Sequence, residues 1–131
     1  MFRRRIISIS IFCLYLAAVA YLCFAKTEDI PQIPDTWFGL PADKVAHFAM
    51  FLPFPLLGFL AFKGSGTSIW KKILLIIALI FIGAAVAICT EYIQTQLAYR
   101  SAETTDLIAD GAGLFCGGVA AFIYTLIRYR K

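Results

Sequence analysis

Residues 71–92 read KKILLIIALIFIGAAVAICTEY: two lysines, then twenty residues in which Glu91 is the single charge. At ~1.5 Å of rise per residue, twenty helical residues cover ~30 Å, the thickness of a bilayer's hydrocarbon core. The run shows no polar alternation, so it fits a membrane-crossing helix, which satisfies its own backbone polar groups. It begins on cations and ends on a carboxylate, and that polarity extends to the rest of the chain.

Three more apolar stretches of similar length flank it, at about 6–25, 45–62 and 107–127. The 131 residues are 61% hydrophobic and 15% charged, more apolar and less charged than a soluble domain of this size. Short connections between successive spans imply antiparallel neighbours. The predicted fold class is therefore all-α: an integral-membrane four-helix bundle forming one domain over residues 1–131.

All eight carboxylates (Glu28, Asp29, Asp35, Asp43, Glu91, Glu103, Asp106 and Asp110) fall at one level of this stack. Nine of the twelve basic residues fall at the other: Arg3, Arg4 and Arg5, then Lys63, Lys71 and Lys72, then Arg128, Arg130 and Lys131. Cations near span ends favour the cytoplasm, so both termini are expected inside. The +4 net charge is divided among short flanking clusters, which excludes a nucleic-acid-binding surface. The first apolar run is longer than a signal peptide's, and Cys23 with Ala25 makes a poor cleavage motif, so it is read as a retained span. Cys13, Cys23, Cys89 and Cys116 all lie in apolar stretches without a C-x-x-C pair, as expected of free thiols.

Pro53 and Pro55 each lack an amide proton, so the second span is predicted to kink; such a kink can also widen a cavity at the acidic end. Gly83, Ala87 and Glu91 recur at four-residue steps in the third span, as do Ala109, Gly113, Gly117 and Ala121 in the fourth. Gly83, Gly113 and Gly117 are assigned to helix packing, within one bundle or between two copies of the chain, because small residues let membrane helices approach closely.

The functional candidates are Asp43, His47, Glu91, Gln94, Arg100, Asp106 and Asp110. Asp43 and His47 are four apart and share a helix face, as do Asp106 and Asp110; Glu91 and Gln94 are three apart. Ionisable groups within a membrane are functional by default and should face the bundle interior. Asp43 and Asp106 read equally well as helix N-caps. A plain polar clasp is the competing reading, with Arg100 paired to Glu91 or Asp106 and His47 donating to a carboxylate. In this reading Arg100 is the cation that offsets the acids, and Lys44 snorkels away from Asp43. One histidine among scattered acids is a weak metal signal, and neither a metal nor another cofactor is expected.

In this order, Asp43-Lys44-x-x-His47, Glu91-x-x-Gln94, Arg100 and Asp106-x-x-x-Asp110-x-x-Gly113-x-x-x-Gly117 resemble the VanZ-like family of bacterial membrane proteins over about residues 40–125. The family usually carries Asn where this chain has Asp110. The resemblance implies a multi-pass protein of the bacterial cytoplasmic (inner) membrane, in a family named for a protein linked to teicoplanin resistance, a glycopeptide resistance. The expected function is binding at the outer leaflet of a lipid headgroup, a lipid-linked envelope precursor or a partner protein, in antibiotic resistance or envelope homeostasis. The alternative is a membrane-embedded enzyme acting on a lipid-linked substrate, with His47 as general acid/base and Glu91 or Asp106 orienting it.

Overall fold

The computed structural model describes residues 2–32 and 34–129 of the chain. Five helices carry the fold: α1 (Phe2–Phe24), α2 (Ala42–Phe51), α3 (Phe54–Phe62), α4 (Ile69–Gln96) and α5 (Thr104–Tyr129). The paired α2 and α3 form one interrupted span, so four helical segments are long and apolar enough to cross a membrane. Each outruns its predicted span by a few residues, because the charged and polar flanks continue the helix past the apolar run. Arg130 and Lys131, counted above among the basic residues, lie outside the described residues.

The second span does more than kink. Pro53 and Pro55 interrupt it at Leu52–Pro53, between α2 and α3. The prolines withhold the amides that the carbonyls of residues 49 and 51 would accept from. In the same turn, the Tyr15 hydroxyl of α1 donates to the Met50 carbonyl. Irregular backbone at this depth is tolerated where protein covers it.

The cover is α5. A Cβ placed on Gly113 would stand 2.5 Å from the Phe48 carbonyl oxygen, and one on Gly117 would stand 2.0 Å from the Leu52 carbonyl oxygen. The two glycines thus admit backbone against backbone at the break. Gly83 serves side chains instead: a Cβ there would meet Leu114 and Phe54. Ala109, predicted on the same small-residue face, is only half buried; the buried face of α5 runs through Asp106, Asp110, Gly113, Gly117 and Ala121. α5 packs against α2, α3 and α4, whereas α1 rests mainly on α3 and makes little contact with α2.

Large apolar side chains such as Leu74, Phe81, Ile108, Phe115 and Ile127 stay exposed along α4 and α5. That surface would aggregate in water and suits acyl chains. The four cysteines are free, with Cys23 buried and the other three exposed.

The loop between α1 and α2 contains a hairpin absent from the sequence reading: β1 (Thr36–Trp37) pairs antiparallel with β2 (Leu40–Pro41). Its two-residue turn puts Phe38 at φ 53° and Gly39 at φ 78°. Two positive φ values match the twist of paired strands. Phe is an unusual residue there, and its side chain is fully exposed at the tip.

Candidate functional site

The acidic end is where α2, α4 and α5 bring their polar side chains together. Neither Asp43 nor Asp106 caps a helix. Pro41 occupies the N-cap of α2, Asp43 is the second residue of that helix, and Asp106 is the third of α5. Both are first-turn carboxylates, which the helix dipole favours.

The cation that offsets them is Lys44, contrary to the expectation that it snorkels. Its Nζ donates to Asp43 Oδ2 at 2.8 Å, to Glu103 Oε2 at 2.7 Å and to Asp106 Oδ1. A quarter-turn offset on the helix is small against four methylenes of reach, and an ammonium with three donors gains more among three carboxylates than at a lipid boundary. Asp43, Glu103 and Asp106 also bring carboxylate oxygens within 4.8 Å of one another. The Lys44 ammonium touches all three and accounts for that convergence.

Deeper in the bundle, His47 joins α2 to α5. Its Nδ1 is 2.9 Å from Asp110 Oδ1, and its Nε2 stands 3.7 Å from Asp106 Oδ2. His47, Asp106 and Asp110 are all buried. A relay therefore runs from Lys44 through Asp106 and His47 to Asp110. Glu91 of α4 lies within electrostatic reach of Asp106, His47 and Asp110. Both its carboxylate oxygens are buried with no hydrogen-bond partner among the described residues. Asp110 Oδ2 and Gln94 Oε1 are buried and unpartnered as well. Four buried acceptor atoms thus lack a hydrogen-bond partner among the described residues.

Gln94 and Arg100 sit elsewhere than in that relay. Gln94 Nε2 donates to the Cys23 carbonyl at 2.8 Å, and Arg100 Nη2 donates to the Leu22 carbonyl at 3.2 Å. Tyr99, which the sequence did not single out, adds its hydroxyl to the Phe24 carbonyl at 3.0 Å. The last carbonyls of a helix lack intrahelical donors, and these three side chains satisfy the end of α1. A guanidinium there also complements the negative pole of the dipole. Arg100 forms no ion pair with a carboxylate among the described residues, so the predicted Arg100–Glu91 or Arg100–Asp106 clasp is replaced by the Lys44 clasp.

Because α1 and α2 stand apart, a cavity of about 780 Å³ opens between them at the acidic end, bordered by Ile30, Pro31, Gln32, Pro34 and Asp35 of the connecting loop. Ala18, Val19, Leu22, Ala46, Met50 and Pro53 give it an apolar flank. Tyr15, His47 and Arg100, with Asp35 and Asp43, give it a polar one. Of the buried polar residues at this end, His47 lines it, and Glu91, Gln94, Asp106 and Asp110 do not. Two features in the sequence bore on this site: Lys44 is the sole lysine beside those carboxylates, and Tyr15 carries a hydroxyl in the middle of an apolar run.

The VanZ/LLP1 family model matches residues 12–128. The chain belongs to the VanZ/LLP1 family. No curated protein and no solved structure matches it. The match takes in the second half of α1, from residue 12, and so reaches into the first span, beyond the stretch of about 40–125 that carried the resemblance. With four helices fit to cross a membrane, this is a VanZ-type multi-pass membrane protein.

Proposed function

We propose that the acidic end faces the outside of a bacterial cytoplasmic membrane, with both termini inside, and that the cavity between α1 and α2 takes the headgroup of a lipid or lipid-linked envelope precursor. The observation that carries this reading is the two-sided lining of the cavity. An apolar flank continuous with lipid-facing helices suits a chain, and a polar flank suits a head. Arg100 spends one nitrogen on α1 and retains guanidinium donors for a phosphate. Asp35 and Asp43 accept from hydroxyl or amine groups, so the preferred head carries both a phosphate and hydrogen-bond donors. The relay behind His47 serves as a stiff back wall.

The test is thermal unfolding of the purified protein with a polyprenyl phosphate as probe. The probe raises the midpoint of the natural protein, and Ala46→Phe, which fills the cavity, removes the shift. An unchanged midpoint, or an equal shift in Ala46→Phe, overturns the reading.

A catalytic reading of the same cavity has one observation in its favour: His47 lines the cavity and is oriented by Asp110 at 2.9 Å, as a general base is oriented by a carboxylate. In that case His47→Gln keeps the probe-induced shift and abolishes turnover of a lipid-linked phosphate. A part in teicoplanin resistance would follow from occupancy of this cavity by an envelope precursor, and Ala46→Phe would then lower tolerance in cells that carry the natural protein.

A further inference from the structure

The opposite end of the bundle holds a second cavity, of about 700 Å³, between the start of α1, the α3–α4 connection and the end of α5. Arg4, Arg5, Lys63 and Arg128 line it, together with Phe2 and Tyr124 among the apolar and aromatic residues. Among the described residues no carboxylate lines it, and every Asp and Glu of the sequence belongs to the other end.

Rings and backbone hold the cations in place. Lys63 Nζ lies 5.6, 5.2 and 5.4 Å from the ring centroids of Phe59, Tyr124 and Tyr129, and 3.5 Å from the Tyr124 hydroxyl. Next to it, Lys72 is buried, with its Nζ 4.6 Å from the Tyr129 centroid and donating to the Thr67 carbonyl and hydroxyl. Aromatic faces fix an ammonium without cancelling its charge. Several cations are thus gathered around one open volume, and among the described residues none of them has a carboxylate partner. Their mutual repulsion calls for an anion, and the guanidinium forks of Arg4, Arg5 and Arg128 match phosphate oxygens.

We propose that the cavity bounded by Arg4, Arg5, Lys63 and Arg128 binds the phosphate headgroup of an anionic phospholipid from the leaflet at the basic end. Phe2 and Leu60 border the same volume and give an acyl chain a surface beside the cations, which favours a lipid over a free phosphate. Basic pockets between membrane helices are suited to such headgroups, and each surface cation strengthens binding about five-fold. This site is independent of the cavity at the acidic end.

The experiment compares the full chain in nanodiscs of phosphatidylcholine with and without phosphatidylglycerol, reading the unfolding midpoint and the phosphatidylglycerol retained on gentle release. Phosphatidylglycerol raises the midpoint, and the double variant Arg4→Gln/Arg128→Gln retains about 25-fold less of it. Both side chains are exposed, so the variant keeps its helical signal in phosphatidylcholine alone. Lys63→Gln alone retains about five-fold less. Lys71→Gln, an exposed cation outside the cavity, and Ala46→Phe, at the other end, retain the lipid as the natural protein does. The proposal is overturned if phosphatidylglycerol gives no stabilisation over phosphatidylcholine. An equal loss with Lys71→Gln, which would indicate undirected surface charge, overturns it too. So does full reproduction of the midpoint shift by millimolar inorganic phosphate, which would indicate a free anion.

Discussion

At the acidic end, charged groups are paired between helices. Lys44 of α2 reaches three carboxylates, two of them 59 and 62 residues further along the chain, and His47 reaches Asp110 at a separation of 63. At the basic end the cations are held locally or by rings: Lys72 by Thr67, five residues away, and Lys63 by Phe59, Tyr124 and Tyr129. The first arrangement pairs its cations but leaves carboxylates in excess, and it depends on α2 staying against α5. The second keeps its charge unspent, and the rings of α5 that hold Lys63 and Lys72 fix the ammonium groups without neutralising them. One end therefore suits a ligand with mixed polarity, and the other suits an anion.

The most damaging way to break this contrast is through the helix contact that one end needs. Gly117→Ala places a methyl group 2.0 Å from the Leu52 carbonyl oxygen, and backbone cannot rotate aside as a side chain can. The variant should lose about 3 kcal/mol of stability. Unfolding in detergent measures that loss, and crosslinks between α2 and α5 should fall while those between α1 and α3 persist. A smaller change removes the compensating cation alone. Lys44→Met leaves the buried Asp106 facing the exposed Asp43 and Glu103 and should cost about 2 kcal/mol, discounted for partial exposure of the cluster. Adding Asp106→Asn should recover part of that cost, a coupling that a double-mutant cycle reads directly.

The smallest effect is a pH dependence confined to the acidic end. The Lys44 ammonium beside Glu103 holds its carboxyl below the ordinary glutamate value. A depressed carboxylate contributes stability that is full above its unfolded value, about 4.5, and is lost as pH falls through the lower folded value. The natural protein should therefore lose slightly more stability than Glu103→Gln between pH 5 and the acid limit of folding. Equal acid sensitivity of the two would remove Glu103 from the clasp.

Much of the architecture could be read from residues in order along the chain. Eighteen uncharged residues between Lys72 and Glu91 require a crossing helix whatever surrounds them, because hydrocarbon offers the backbone no partner. The segregation of acids and bases follows once the spans alternate. Pro53 and Pro55 announced a distortion, and the small-residue steps at Gly113 and Gly117 announced a close approach. The hairpin at Thr36–Pro41 was not legible, since a Phe at positive φ carries no turn signal.

The partners of the polar residues were a different matter. Sequence spacing places Asp43, His47, Asp106 and Asp110 at one level, because helical rise fixes depth within each span. It cannot rank the reach of Lys44 against that of Arg100, since the choice depends on how nearly two helices approach and how they are rotated. The backbone contact of Gly113 and Gly117 with Phe48–Leu52 settles both, bringing Lys44 to Asp106 and His47 to Asp110. The looser seating of α1 leaves Arg100 and Gln94 beside its terminal carbonyls. Chain-local hydrophobicity thus determined which segments enter a membrane and which charges lie at each end. Only the packing of helices distant in sequence decided which ion meets which, because side-chain pairing is a property of inter-helix distance and angle.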